Sequence, residues 1–376
     1  MKKIIFISCL VFATQGFAQY TLRLIVTDVA TQKGADIYVA GDFNKWNPGD
    51  YNYKMKVFGA SRKVFVFNNV AAGKFTFKFT RGSWEKVEAS AKGADIENHE
   101  VELTGDTSLS FSIAGWKDDF PDKPKPNTAT AQVQVLDTAF FIPQLNRTRK
   151  VWVYLPANYN LLKSKIFPVL YMHDGQNLFN EQTAPFGEWG VDECLDSLQR
   201  QLKKDCIVVA IDNGGDKRLN EYNPYDNDKY GKGEGGLYID FLVQTLKPFI
   251  DKRFRTQKDA AHTAIAGSSM GGLISLYAVM KYPDVFGNAG VFSPSFWIAP
   301  RMFYDLEQMK WKGMHRFFFY AGGKEGDDMV PDMKRVEEIL SKATEVQEQE
   351  IVMPLGQHNE KYWRQVFDDF YKWLSF

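Results

Sequence analysis

The sequence predicts an α/β protein in two parts, a small Ig-like antiparallel β-sandwich followed by a wound α/β sheet. Three observations predict it. Residues 20–115 alternate apolar and polar positions with the two-residue period of half-buried strands, and no helical period appears there. From residue 131 short apolar runs alternate with stretches of helical period, the mark of a parallel sheet wound by helices. Between the two, prolines 121, 124 and 126 stand among charged residues, a composition that suits neither helix nor central strand. The expected organisation is a signal peptide over 1–18, the sandwich over 19–116, a linker over 117–130 and the larger domain over 131–376.

The 376 residues are 44% hydrophobic and 15% aromatic, ample for sizeable cores. Lys plus Arg and Asp plus Glu balance at 46 each with no basic tract, so nothing favours nucleic acid or an anionic membrane as partner. Met1-Lys2-Lys3, the apolar run Ile4–Phe12 and the small residues Gly16 and Ala18 read as a signal peptide cut after Ala18. No run is long and apolar enough to span a bilayer, so the mature chain is expected to be exported, periplasmic or extracellular. Export permits a Cys194–Cys206 bridge, but two buried thiols fit equally well. Without neighbouring histidines these cysteines make no metal site, and no metal or organic cofactor is expected.

In the first part the strands are expected at Thr21–Thr27, Asp36–Ala40, Lys63–Phe67, Lys74–Thr80 and Ser108–Ile113, separated by Gly, Asn, Asp and Pro clusters. Within it Tyr38–Pro48, carrying Gly41-Asp42-Phe43-Asn44-Lys45-Trp46, resembles the signature of glycogen- and starch-binding sandwich modules. Phe75–Glu85 resembles a later strand of the same modules. The resemblance implies glycan contact, with Trp46 and Trp84 offering flat indoles to sugar rings.

In the second part strands are expected at Lys150–Leu155, Val169–Met172, Cys206–Ile211, 262–266, Ala289–Phe292, Arg316–Tyr320 and Glu345–Met353. Helices are expected at Trp189–Leu202, Leu237–Lys247 (ending or kinking at Pro248), after Ser269 as far as Lys281, at Pro331–Ala343 and at Tyr362–Leu374.

The chemistry centres on Gly267-Ser268-Ser269-Met270-Gly271, a G-x-S-x-G run between an apolar strand and a helix. A serine hydroxyl presented at the top of a sheet needs a sharp turn, and flanking glycines let strand and helix close on it. This is the nucleophile elbow of the α/β-hydrolase fold, in which the order is Ser, then acid, then His. Only His315 and His358 follow Ser269, and His315 opens a strand at the end of the sheet away from the elbow. His358 lies in a loop between the last strand and the last helix, where a base can hang over the serine. The acid belongs after Arg316–Tyr320, where Glu325 is the choice and Asp327 and Asp328 are alternatives. Oxyanion donors are expected from the N–H of Met270, at the helix start, and of Gln176, in the Gly-containing loop after Val169–Met172. His173 reads as a loop-stabilising residue.

His173–Phe179, Gly267–Gly272, Arg218–Tyr222, Phe292–Trp297 and Gly356–His358 together resemble one esterase group. It contains family-one carbohydrate esterases, feruloyl esterases and enterochelin-esterase-like hydrolases. The resemblance covers about 131–376 and implies esterase activity. Trp297, Tyr222 and Phe179 are candidate walls for an aromatic acyl or sugar group, and the polar Asn213–Gly236 stretch a candidate cover for the cleft. The function expected first is removal of feruloyl or acetyl groups from polysaccharide. Alternatives are a siderophore trilactone esterase and a glycan-binding protein with an inert hydrolase domain.

Overall fold

The computed structural model describes residues 19–59, 62–120 and 124–376, and the signal-peptide reading lies outside them. The chain divides between Lys123 and Pro124 into two compact units.

Among the described residues the first unit holds nine strands: β1 (Gln19–Val29), β2 (Tyr38–Gly41), β3 (Lys56–Phe58), β4 (Arg62–Ala71), β5 (Gly73–Thr80), β6 (Glu88–Ala89), β7 (His99–Leu103), β8 (Thr107–Ile113) and β9 (Gly115–Trp116). They form sheets ordered β3-β4-β1-β8, β2-β5-β7 and β6-β9. Leu22, Leu24 and Val26 of β1 and Phe77 and Phe79 of β5 point into one shared core, the two-residue alternation that the sequence carries. One pairing departs from the antiparallel expectation, because β1 and β8 run parallel. The chain leaves β1, passes through the other strands and re-enters beside it, and a long return connection is what lets neighbours point the same way.

The second unit is an eight-stranded sheet, β10 (Val133–Ile142), β11 (Arg147–Tyr154), β12 (Val169–Met172), β13 (Ile207–Ile211), β14 (Thr263–Ser268), β15 (Asn288–Phe292), β16 (His315–Gly322) and β17 (Val346–Met353). Its order is β10-β11-β13-β12-β14-β15-β16-β17. The pairs β10/β11 and β11/β13 are antiparallel and the rest parallel. Helices α1 (Val191–Leu202), α2 (Arg218–Glu221), α3 (Gly235–Phe241), α4 (Lys247–Arg253), α5 (Met270–Lys281), α6 (Arg301–Glu307), α7 (Met329–Leu340) and α8 (Glu360–Trp373) connect and cover it. Each central strand is apolar on both sides. In β12, Val169 and Tyr171 join the core under α3–α7, while Leu170 and Met172 join the core under α1 and α8.

Two local departures have plain causes. Pro248 does not end the expected helix. The backbone widens to a π turn over Leu242–Leu246 and continues as α4, with the proline in its first turn. The wider ring relocates the hydrogen bond that the proline cannot make. Residues that follow the proline cluster are tied down: the Thr128 hydroxyl donates to Glu188 (2.7 Å) and the Thr130 N–H to Asp192 (2.7 Å). Cys194 and Cys206 are unbridged.

Candidate active site

β14 rises through the middle of the sheet and α5 begins at Met270, which leaves Ser269 alone on the turn at φ 59° and ψ −120°. An L-residue avoids that region, so the strain has to be held from outside. Its N–H is tied to the Phe292 carbonyl at 2.9 Å. Glycine is required on either side. A Cβ on Gly267 would come within 3.0 Å of Gly271, and one on Gly272 within 2.8 Å of the Phe292 oxygen. The Ser269 hydroxyl lies 3.1 Å from the Ser295 hydroxyl, and among the described residues it makes no other hydrogen bond.

His358 hangs from the loop between β17 and α8 and is about one-third exposed. Its Nδ1 lies 2.8 Å from Glu325 Oε2. A carboxylate partner fixes the proton on Nδ1 and leaves Nε2 as the accepting nitrogen. The ring stands edge-on to Trp363, 5.1 Å between centroids at 86°. Glu325 has a fully buried side chain, and its second oxygen accepts from the Gly322 N–H and the Ser293 hydroxyl, both at 2.8 Å. Trp363 Nε1 donates to the same Ser293 hydroxyl at 2.8 Å. Asp327 and Asp328 are exposed.

Ser269 and His358 line one cavity of about 440 Å³, with Gln176, Asn213, Arg218, Phe186 and Glu360 among the other walls. Gln176 sits in the one-turn helix Gly175–Asn177 that follows β12, and Met270 opens α5. The first N–H groups of a helical turn have no partner within it, so both positions can present free donors. The charged wall residues are largely paired. Asp174 accepts from Arg218 Nε (2.6 Å), Arg218 Nη2 (2.8 Å) and Asn213 Nδ2 (2.7 Å). Burial pushes the Asp174 carboxyl up, but the adjacent Arg218 charge and its hydrogen bonds outweigh that, and the group lies below the ordinary carboxylate value. His173 is fully buried, and desolvation lowers it to about 3, so it stays neutral. It contacts the Tyr238 hydroxyl at 3.0 Å.

The structure corrects two expected walls. Tyr222 and Phe179 are fully buried in the two cores of the sheet, and neither lines the cavity. Tyr222 instead receives the Asp174 N–H on its hydroxyl at 3.4 Å. Trp297 is half-exposed but also lies outside the cavity lining. Of the Asn213–Gly236 stretch, Asn213 and Arg218 reach the cavity, while Pro224–Lys229 lines a separate hollow with Ile298–Arg301. Phe186 and Trp363 were not marked by any motif, and Ser293 and Ser295 only as members of the Phe292–Trp297 segment. In the first unit Trp46 and Trp84 lie 6.4 Å apart at 35°, with Trp84 exposed and Trp46 Nε1 bonded to Asp42 at 3.0 Å.

Among the described residues one carboxylate trio, Glu188, Asp192 and Glu193, is close enough together to hold a cation. Thr128 and Arg364 already engage Glu188, the Thr130 N–H engages Asp192, and none of the three lines the serine's cavity.

An elbow serine, an imidazole–carboxylate pair and free N–H groups at the C-terminal edge of this sheet define an α/β-hydrolase-fold ester hydrolase. Residues 142–374 match the family model described as "Putative esterase", and the chain belongs to that family. It is 28% identical to the YbbA protein of Bacillus subtilis over 244 residues, 60% of this chain and 92% of that one. It is 26% identical to an endo-1,4-beta-xylanase/feruloyl esterase of Xylanibacter ruminicola over 202 residues, 52% of this chain and 26% of that one. It is 29% identical to the iron(III) enterobactin esterase of Escherichia coli over 155 residues, 41% of this chain and 34% of that one.

Proposed function

We propose that this chain is an exported serine esterase that removes feruloyl or acetyl groups from polysaccharide. The observation that carries the reading is the placing of a strained, cavity-facing Ser269 in the same hollow as a histidine whose other nitrogen is held by a buried glutamate. In the proposed reaction Ser269 leaves Ser295, turns to His358 Nε2 and attacks the ester carbonyl as the imidazole takes its proton. Glu325 holds the tautomer and stabilises the imidazolium. The N–H groups of Gln176 and Met270 receive the carbonyl oxygen as it becomes O⁻, and one such donor is worth about 3 kcal/mol. His358 then protonates the leaving alcohol, and water repeats the sequence on the acyl-enzyme.

Support for an aromatic acyl group comes from Phe186, whose ring is 79% exposed and lines the cavity, and from the feruloyl esterase relative. The enterobactin esterase relative favours a second reading, a siderophore ester as substrate. A panel of feruloylated oligosaccharide, acetylated xylan and an iron-loaded trilactone separates the two, with a p-nitrophenyl ester as common probe. Wild type should label stoichiometrically with a fluorophosphonate, and Ser269→Ala should lose labelling and at least about 10⁴ in kcat. Near-wild-type turnover by Ser269→Ala ends the assignment.

A further inference from the structure

We propose that Arg218 is a positioning residue that holds the two oxyanion-binding segments in register. The inference rests on the serine-esterase reading above and adds the device that sets its geometry.

The two proposed oxyanion donors come from different parts of the chain, the turn after β12 and the turn after β14. The β12/β14 pairing ends at Met172 and Ala266, and the last backbone bond between the two, from the His173 N–H to the Ala266 carbonyl at 3.0 Å, stops short of both Gln176 and Ser269. Arg218 spans that gap. Its Nε and Nη2 grip both oxygens of Asp174, two residues before Gln176, and Nη2 also reaches the carbonyl of Ser268, one residue before Ser269, at 3.4 Å. Asp174 needs such a grip. It caps the Gly175–Asn177 turn at φ 56° and ψ 46°, a left-handed conformation that a non-glycine residue keeps only when its surroundings impose it. The start of α5 closes onto the same carboxylate, since a Cβ on Gly271 would stand 3.3 Å from Asp174 Oδ2.

The clamp is itself anchored. Arg218 opens the one-turn helix α2, whose last residue, Glu221, is fully buried and paired with Arg147 (2.7 Å) and Arg149. The guanidinium thus joins the β12 turn to the elbow, and the short helix that carries it is pinned to β11 by the Glu221 ion pairs. A planar fork makes this joint and an ammonium does not, because three acceptors on two segments are met by N–H groups of fixed direction. Misplacing an oxyanion donor by about 1 Å is worth roughly 100-fold in rate, so the expected signature is kinetic.

The test uses the full chain with Arg218→Lys and Arg218→Ala. Activity is read on a p-nitrophenyl ester and divided by the sites that a fluorophosphonate labels to completion. Each variant should lose about 10- to 100-fold in kcat per labelled site with KM within about threefold. Affinity for an aryl trifluoromethyl ketone, whose carbonyl becomes an O⁻ in the oxyanion position when Ser269 adds to it as a hemiketal, should fall by the same factor as kcat. Added guanidinium should restore part of the Arg218→Ala rate. A merely structural role would reduce the number of labelled sites and leave kcat per site and ketone affinity unchanged, and that result overturns the clamp. If Arg218→Ala does not fold, Arg218→Lys decides alone. A wild-type chain that neither labels nor hydrolyses any ester removes the underlying reading and the clamp together, an outcome distinct from active wild type with fully active variants.

Discussion

Glu325 shows how much one side chain can settle. Its Oε1 is occupied by the Gly322 N–H and the Ser293 hydroxyl, so only Oε2 faces His358. In Glu325→Gln those two donors keep the amide oxygen on their side and turn the NH₂ toward the imidazole. Nδ1 must then accept, Nε2 carries the proton, and the base can no longer take one from Ser269. The variant should fold normally, keep KM within about twofold and lose about 10³–10⁴ in kcat. A loss below tenfold in steady-state assays would show that the carboxylate does not set the tautomer. Ser269, His358 and Glu325 could be nominated from the sequence because elbow glycines and chain order narrow the choice before any contact is known, with Asp327 and Asp328 left open beside Glu325. Arg218 was legible only as part of a motif and Ser293 likewise, because their acceptors lie 44 and 32 residues away in the chain. Tyr222 and Phe179 misled for a related reason. An aromatic beside a motif reads the same whether it faces a substrate or a core, and here both face the core.

Element boundaries followed the apolar period closely where strands are central and drifted where the local rule met a tertiary demand. The helix through Pro248 is the clear case, since the apolar face of Ile239, Leu242, Leu246 and Ile250 is buried along its whole length and repays the π turn. The start of α1 carries the opposite tension. Asp192 and Glu193 sit side by side in its first turn, where the helix dipole favours negative charge. Burial nevertheless raises the Glu193 carboxyl to about 7, and the neighbouring Asp192 charge adds to the shift. The folded chain therefore holds a proton on this group that the unfolded chain has already released, across the interval from about 4.3 to about 7. Its contribution to stability is present below that interval and declines as pH rises through it. Glu193→Gln removes the titration. The variant's melting temperature relative to wild type should accordingly be higher at pH 8 than at pH 5, and calorimetry at the two values checks it. An offset that does not change with pH would mean that the two carboxyls do not share their burden.

At the scale of the molecule, two units fold from two sequence periods. The proposed catalytic groups belong entirely to the second, which makes the purpose of the first a separate question with its own test. The first unit shows an aromatic pair at its surface, Trp46 and Trp84, with ring planes 35° apart. Trp46 stands at φ 58°, and its Nε1 donates to Asp42 at 3.0 Å. Were the pair to stack on sugar rings, each stacked ring would be worth about 0.5–1.5 kcal/mol, so removing both would weaken that proposed binding roughly 5- to 150-fold. The double variant Trp46→Ala, Trp84→Ala should therefore lose its retardation in gels containing soluble starch. Its kcat and KM on a p-nitrophenyl ester should stay within about twofold of wild type, because Ser269, His358 and Glu325 draw every contact named above from residues beyond 124. If wild type migrates through starch and xylan gels no more slowly than the variant, the pair is packing and the first unit does not bind glycan. If instead the ester kinetics fall with the tryptophans, the two units are coupled in catalysis, and the independence assumed in this argument is wrong.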